Sequence, residues 1–151
     1  MARPFTLQPL LDLMQTRADE STRQLGRLIA AEQSAKSRLQ LLEQYREEYA
    51  QRYREAAGNG LTPMAMRNFQ DFLARIDEAI AQQGKAVSDS ERSTADGQSA
   101  WREQNKKLKA MDALSQRHDV RERYRENKLE QKEQDEFSTR HHGTNRDTDT
   151  P

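Results

Sequence analysis

Between residues 11 and 111 the apolar side chains return at alternating steps of three and four, the spacing of an α-helix with a single apolar seam. The first run is Leu11, Met14, Ala18, Ser21, Leu25, Leu28, Glu32, Ala35, Leu39, Leu42, Arg46, Tyr49 and Tyr53, with only Ser21, Glu32 and Arg46 polar. One strong break follows. Gly58, Asn59 and Gly60 tolerate positive φ, and Thr62 before Pro63 reads as a hydroxyl N-cap ahead of a first helical residue with fixed φ. The seam then resumes at Met66, Phe69, Leu73, Ile76, Ile80, Gln83, Val87, Ser90, Thr94, Gly97, Trp101, Gln104, Leu108 and Met111.

The second run is weak alone and gains sense when the chain is folded back about Leu61. Positions equally far from that residue then face one another: Tyr53 and Phe69, Tyr49 and Leu73, Leu42 and Ile80, Ala35 and Val87, Met14 and Leu108. Weak positions meet suitable partners, with Gly97 opposite Leu25, Thr94 opposite Leu28 and Trp101 opposite Ser21, which keeps the packing density even. Only the layer of Glu32 and Ser90 lacks an apolar member. A parallel dimer would instead set Gly97 against Gly97 and Trp101 against Trp101, and a short connection favours antiparallel neighbours. The expected fold is therefore all-α: a long antiparallel two-helix coiled coil with an overhanging C-terminal helix. Residues 1–140 form a single hairpin, with a first helix over about 7–56, a turn over 57–62 and a second helix over about 63–139. The first helix, at about fifty residues, extends on the order of 75 Å. Residues 1–5 read as a frayed lead-in. Residues 112–139 read as an overhang that buries almost nothing and carries opposite charges three or four apart, such as Asp119 with Arg123 and Lys132 with Glu136. Residues 141–151 read as a disordered tail.

Composition narrows the function. At 33% apolar and 33% charged, the chain cannot enclose an ordinary globular core, and its formal net charge of zero supplies no general pull toward nucleic acid. Without cysteine, disulfides and thiolate metal sites are excluded. No apolar run is long enough to span a bilayer, and residues 1–30 lack the apolar core of a signal peptide, so a cytoplasmic protein is expected. The glycines at 58 and 60 are not followed by the Gly-Lys-Ser/Thr of a phosphate loop. His118 reads as a solvated side chain, and His141 with His142 supply too few ligands for a preformed metal site. No nucleophile can be paired with a base, so no enzyme, cofactor or metal is expected. Tyr45 and Phe72 fall off the seam beside Tyr49 and Ile76, on a flank suited either to binding a protein or to covering the seam's edge.

Six segments in fixed order carry a resemblance: LQPLLDL at 7–13, LG at 25–26, LQLLEQYREEY at 39–49, NFQDFLARIDEAIAQ at 68–82, AWREQNKKLKA at 100–110 and ENKLEQKEQDEF at 126–137. The last is the most distinctive, since no heptad dictates it. Over nearly its whole length the chain resembles the FliJ family of flagellar type III export. The resemblance implies a hairpin similar to the stalk of rotary ATP synthases, whose end carrying both termini enters the export ATPase ring and promotes its assembly. It also implies binding to the export gate's membrane protein, recycling of export chaperones, and a cytoplasmic location peripheral to the inner membrane at the flagellar base, with no membrane insertion of its own. By the same resemblance the gate-binding patch comprises Arg38, Leu42, Tyr45, Tyr49, Phe72, Ile76, Ala79 and Gln83, where Arg38, Ile76 and Gln83 replace the Gln, Leu and His of the family pattern. The ring-binding end comprises Leu10, Leu13, Arg121, Arg123, Arg125, Lys128, Leu129 and Phe137. Two alternatives share the sequence features: the equivalent stalk of a virulence secretion system, and a structural spacer with no ATPase partner. The isolated protein is expected to be a monomer.

Overall fold

The computed structural model describes residues 3–146, with the side chains of 142–146 left aside. It contains two helices, α1 (Gln8–Gly58) and α2 (Pro63–Arg146). Both consist largely of Gln, Glu, Arg, Lys, Ala and Leu, the residues that lose least on becoming helical. The first turn of α1 is tied down by Gln8 N–H donating to Phe5 O at 3.0 Å. Pro9 follows where an N–H has no intrahelical partner to lose.

At the other end α1 continues to Gly58, slightly past the expected boundary. Asn59 N–H donates to Ala56 O at 3.2 Å and Gly60 N–H to Ala57 O at 3.3 Å, closing the helix end. Of the break residues only Gly60 takes positive φ, at 91°. Thr62 caps α2 as its sequence suggests, its Oγ1 accepting from Ala65 N–H at 3.2 Å. Helix α2 runs on to Arg146, past the end expected near 139 and through part of the expected tail; residues 147–151 lie outside the described residues.

The chain divides into two compact units, Asp19–Glu103 and Met1–Ala18 with Gln104–Pro151. Within Asp19–Glu103 the helices pack antiparallel. Every predicted seam position is buried or half-buried except Met66, which is 39% exposed. Its counterpart across the turn is Ala56, too small to cover it. Ile76, Val87 and Thr94 form the most buried layers. Thr94 keeps its hydroxyl satisfied by donating to Leu28 O at 3.3 Å, and Gln83 Nε2 donates to Ala35 O at 3.0 Å. Trp101 places its ring on the seam and donates Nε1–H to Thr22 Oγ1 at 2.9 Å, beside the Ser21 predicted to face it. Gly97 allows Leu28 and Leu25 to approach closely: a Cβ there would lie 2.6 Å from Leu28 Cδ1. The polar seam positions find partners at the edge. Glu32 pairs with Lys36 at 3.7 Å, and Arg46 grips Asp77 through Nε and through Nη2, the latter at 3.4 Å from Oδ2. Hydrogen bonding to Asp77, then its charge, raises the pKa of the Arg46 guanidinium further.

In the other unit Ala18 is buried, and Leu11, Met14, Leu108 and Met111 are half-buried. Four expectations are corrected here. From Arg3 onward the lead-in does not fray, residues 1–2 lying outside the described residues: the segment before α1 lies on α2, where Arg3 N–H donates to Glu122 Oε2 at 3.2 Å and His118 Nε2 meets Arg3 O at 2.9 Å. Phe5 meets the His118 ring at 5.4 Å in a tilted contact. His118 is accordingly half-buried rather than solvated, and Glu122 is only 9% exposed. A non-helical backbone covers more length per residue than a helix, so a few residues reach over the turn of α2 from His118 to Glu122. The overhang therefore begins near residue 127 instead of 112, and residues 127–141 are exposed throughout. The anticipated pairs Asp119 with Arg123 and Lys132 with Glu136 do not form; in this stretch Arg125 meets Glu122 at 3.4 Å instead. Exposed pairs of long side chains gain too little to hold one geometry.

Candidate functional site

Two surfaces follow from the residues singled out by sequence. The first lies toward the turn, within Asp19–Glu103, where four rings form a chain. Phe72 contacts Tyr49 at 4.4 Å, Tyr49 contacts Phe69 at 5.2 Å, and Phe69 contacts Tyr53 at 5.5 Å, all tilted. Tilted contacts set ring edges toward ring faces, the arrangement the aromatic quadrupole favours. The structure sorts the eight patch residues by depth. Arg38, Tyr45 and Phe72 are exposed, Tyr45 to 57% and Phe72 to 41%. Leu42, Tyr49, Ala79 and Gln83 are half-buried, and Ile76 is buried at 8% exposure. Ile76 therefore supports the flank from beneath, and the Gln83 amide is engaged by the α1 backbone. What remains open is an aromatic surface built on Tyr45 and Phe72, with Tyr49 fixing the Phe72 ring.

The second surface is in the unit that holds both chain ends. Leu10 and Leu13 are 37% and 43% exposed, and Leu129 and Phe137 are 61% and 66% exposed. Arg121, Arg123, Arg125 and Lys128 are exposed as well. Lys128 Nζ sits 5.6 Å from the centre of the Tyr124 ring, within cation–π reach. Phe137 stacks on His141 at 5.4 Å. A shallow groove along α2 is lined by Arg3, Val120, Arg121, Tyr124, Arg125 and Lys128, among others. Leu10 and Leu13 are on α1, apart from the groove lining.

Sequence reasoning passed over Arg3 and Glu122 and read His118 as solvated, yet the three join the start of the chain to α2. Their signal was the continuation of the seam beyond Met111 at Ser115, His118 and Glu122, again by fours and threes, in polar residues that an apolar count discards. Among the described residues no helix is long and apolar enough to cross a membrane.

Comparison with known proteins agrees with this architecture. A solved structure of a YscO homolog from Chlamydia trachomatis shares the fold with a TM-score of 0.67, at 17% identity, over 98% of this chain and 99% of that one. The flagellar FliJ proteins of Salmonella typhi and Escherichia coli (strain K12) are each 29% identical over 140 residues, covering 93% of this chain and 95% of theirs. The family model described as "Flagellar FliJ protein" matches residues 3–147. The match takes in both helices, the turn between them and the overhang, so the chain belongs to the FliJ family of flagellar proteins.

Proposed function

We propose that this chain is a stalk-like subunit of flagellar type III protein export. Its overhanging end enters the ring of the export ATPase and promotes ring assembly, and its aromatic flank meets the export gate. It escorts export chaperones between the two, working at the cytoplasmic side of the inner membrane without inserting into it. The observation that carries the reading is the uncovered end of α2. Residues 127–141 are exposed throughout, yet they include Leu129 and Phe137, large apolar side chains that the chain's own fold leaves in water. A partner that surrounds the helix would bury them, while Arg121, Arg123, Arg125 and Lys128 offer polar contacts that tolerate several subunit states. Leu10 and Leu13 add apolar surface from α1. Of the gate patch, Tyr45 and Phe72 are the anchors, with Leu42, Tyr49 and Ala79 at their base and Arg38 and Gln83 at the margin. The role is one of binding and assembly, with no chemistry of its own.

Removing residues from Asn127 onward tests the ring-binding role. The hairpin should melt as before, since residues 127–141 are exposed throughout, while stimulation of the cognate export ATPase is lost. Raising salt should weaken the complex of the intact protein. Full stimulation by the shortened chain would reject the stalk role and leave a spacer.

A further inference from the structure

A net charge of zero conceals a division of charge around α2. At about 100° per residue, the six acids between residues 112 and 134 (Asp112, Asp119, Glu122, Glu126, Glu130 and Glu133) gather on one side of the helix. Five of the six cations in the same stretch, Arg117, Arg121, Arg125, Lys128 and Lys132, gather on the other, and only Arg123 stands apart. Separation by face denies the charges most of their neighbours of opposite sign. Among the described residues Arg125 alone of these cations makes an ion pair, with Glu122 at 3.4 Å. All five are exposed. Leu114 and Tyr124, 43% and 65% exposed, stand on the same side, and Val120, 65% exposed, stands at its edge.

We propose that this face binds the surface of an anionic lipid bilayer, with α2 lying along the headgroups. The charges choose a partner of opposite sign, and the apolar residues choose its kind. Docking a partner helix calls for anchors repeating every three or four residues, and Leu114, Val120 and Tyr124 do not form such a ridge. A bilayer surface asks only for unopposed cations on long stems and a few side chains suited to the interfacial layer, of which tyrosine is one. The contact would be peripheral, consistent with the lack of a membrane-crossing helix among the described residues. This goes beyond the ring-binding role. Because Arg121, Arg125 and Lys128 serve in both, occupation of the ring and of the lipid surface would exclude each other.

The full chain is tested by co-sedimentation with vesicles of phosphatidylglycerol and phosphatidylcholine in equal parts, against vesicles of phosphatidylcholine alone. Binding is expected only to the anionic vesicles, with release as salt shortens the Debye length. Arg121→Glu and Lys128→Glu should each weaken it by about fivefold or more, with helicity by circular dichroism unchanged. Arg123 belongs to the ring-binding set and not to this face, so Arg123→Glu should change vesicle binding by less than about twofold and thereby separates the two roles. Equal binding to both vesicle types, or equal loss in Arg123→Glu and Arg121→Glu, overturns the proposal. So does capture by polyglutamate without capture by anionic vesicles, which would assign the face to an acidic polypeptide.

Discussion

Gly97 and Gly26 show how differently one residue type can serve two sites of the same fold. A Cβ at Gly97 would press on Leu28 Cδ1 at 2.6 Å, whereas one at Gly26 would meet nothing within 4 Å. Gly26→Ala should therefore stabilise the hairpin by about 0.5–1 kcal/mol, the difference in helix propensity. Gly97→Leu should destabilise it by about 1–3 kcal/mol through overpacking. Thermal and urea melts of both variants check the contrast. On the aromatic flank the two anchors also separate. Phe72 rests on Tyr49, so Phe72→Ala should cost about 1 kcal/mol of stability, where its off-seam position alone suggests no effect. Tyr45→Ala should stay within about 0.5 kcal/mol. Both should weaken gate binding by about 1–2 kcal/mol in a direct titration; undiminished binding by both would mean that the flank is packing only.

Between elements, stability rests on layers that are individually thin. Two helices cannot surround a side chain, and among the described residues no large side chain is fully buried. The deepest apolar layers, at Ile76 and Val87, should then be the most sensitive. Val87→Asp, opposite Ala35, places an unpaired charge between the helices and should cost about 3 kcal/mol, against less than about 0.5 kcal/mol for the exposed Gln40→Asp. Equal melting of the two would show the seam to be misassigned. The segment before α1 is a separate device. Both backbone groups of Arg3 are held by side chains one turn apart on α2, His118 and Glu122. His118→Ala with Glu122→Ala should speed exchange of the Arg3 amide by roughly tenfold, about 1.4 kcal/mol of local opening, with little change in global melting. Unchanged exchange would mean that these contacts do not hold the segment.

For the molecule as a whole, the facing layers close within one chain. Thr94 donating to Leu28 and the tilted contact of Tyr53 with Phe69 join α2 to α1 across a turn of a few residues, a span that favours the chain's own partner over a second copy. Sedimentation equilibrium should give the monomer mass. Leu28→Cys combined with Thr94→Cys should form a disulfide at that mass under oxidation, and Leu28→Cys alone should not yield a covalent dimer. A dimer linked through Leu28→Cys would replace the hairpin by a parallel pair.

Local chemistry and periodicity sufficed for the elements: the three-and-four spacing, the glycine break and the Thr62 cap depend on residues close in sequence, and both helices and their antiparallel pairing follow from them. The charged face of α2 was equally present in the sequence, hidden only because a net charge averages over the circumference. Tertiary structure decided what depends on residues far apart. Whether Ile76 is surface or support, whether Phe72 is free or packed on Tyr49, and where the overhang begins all turn on what lies across the seam. Arg3, His118 and Glu122 show the reason most plainly. Each is polar and looks solvated in its own neighbourhood, and only the return of the chain brings a backbone N–H and C=O within reach of the two side chains that shelter beneath them.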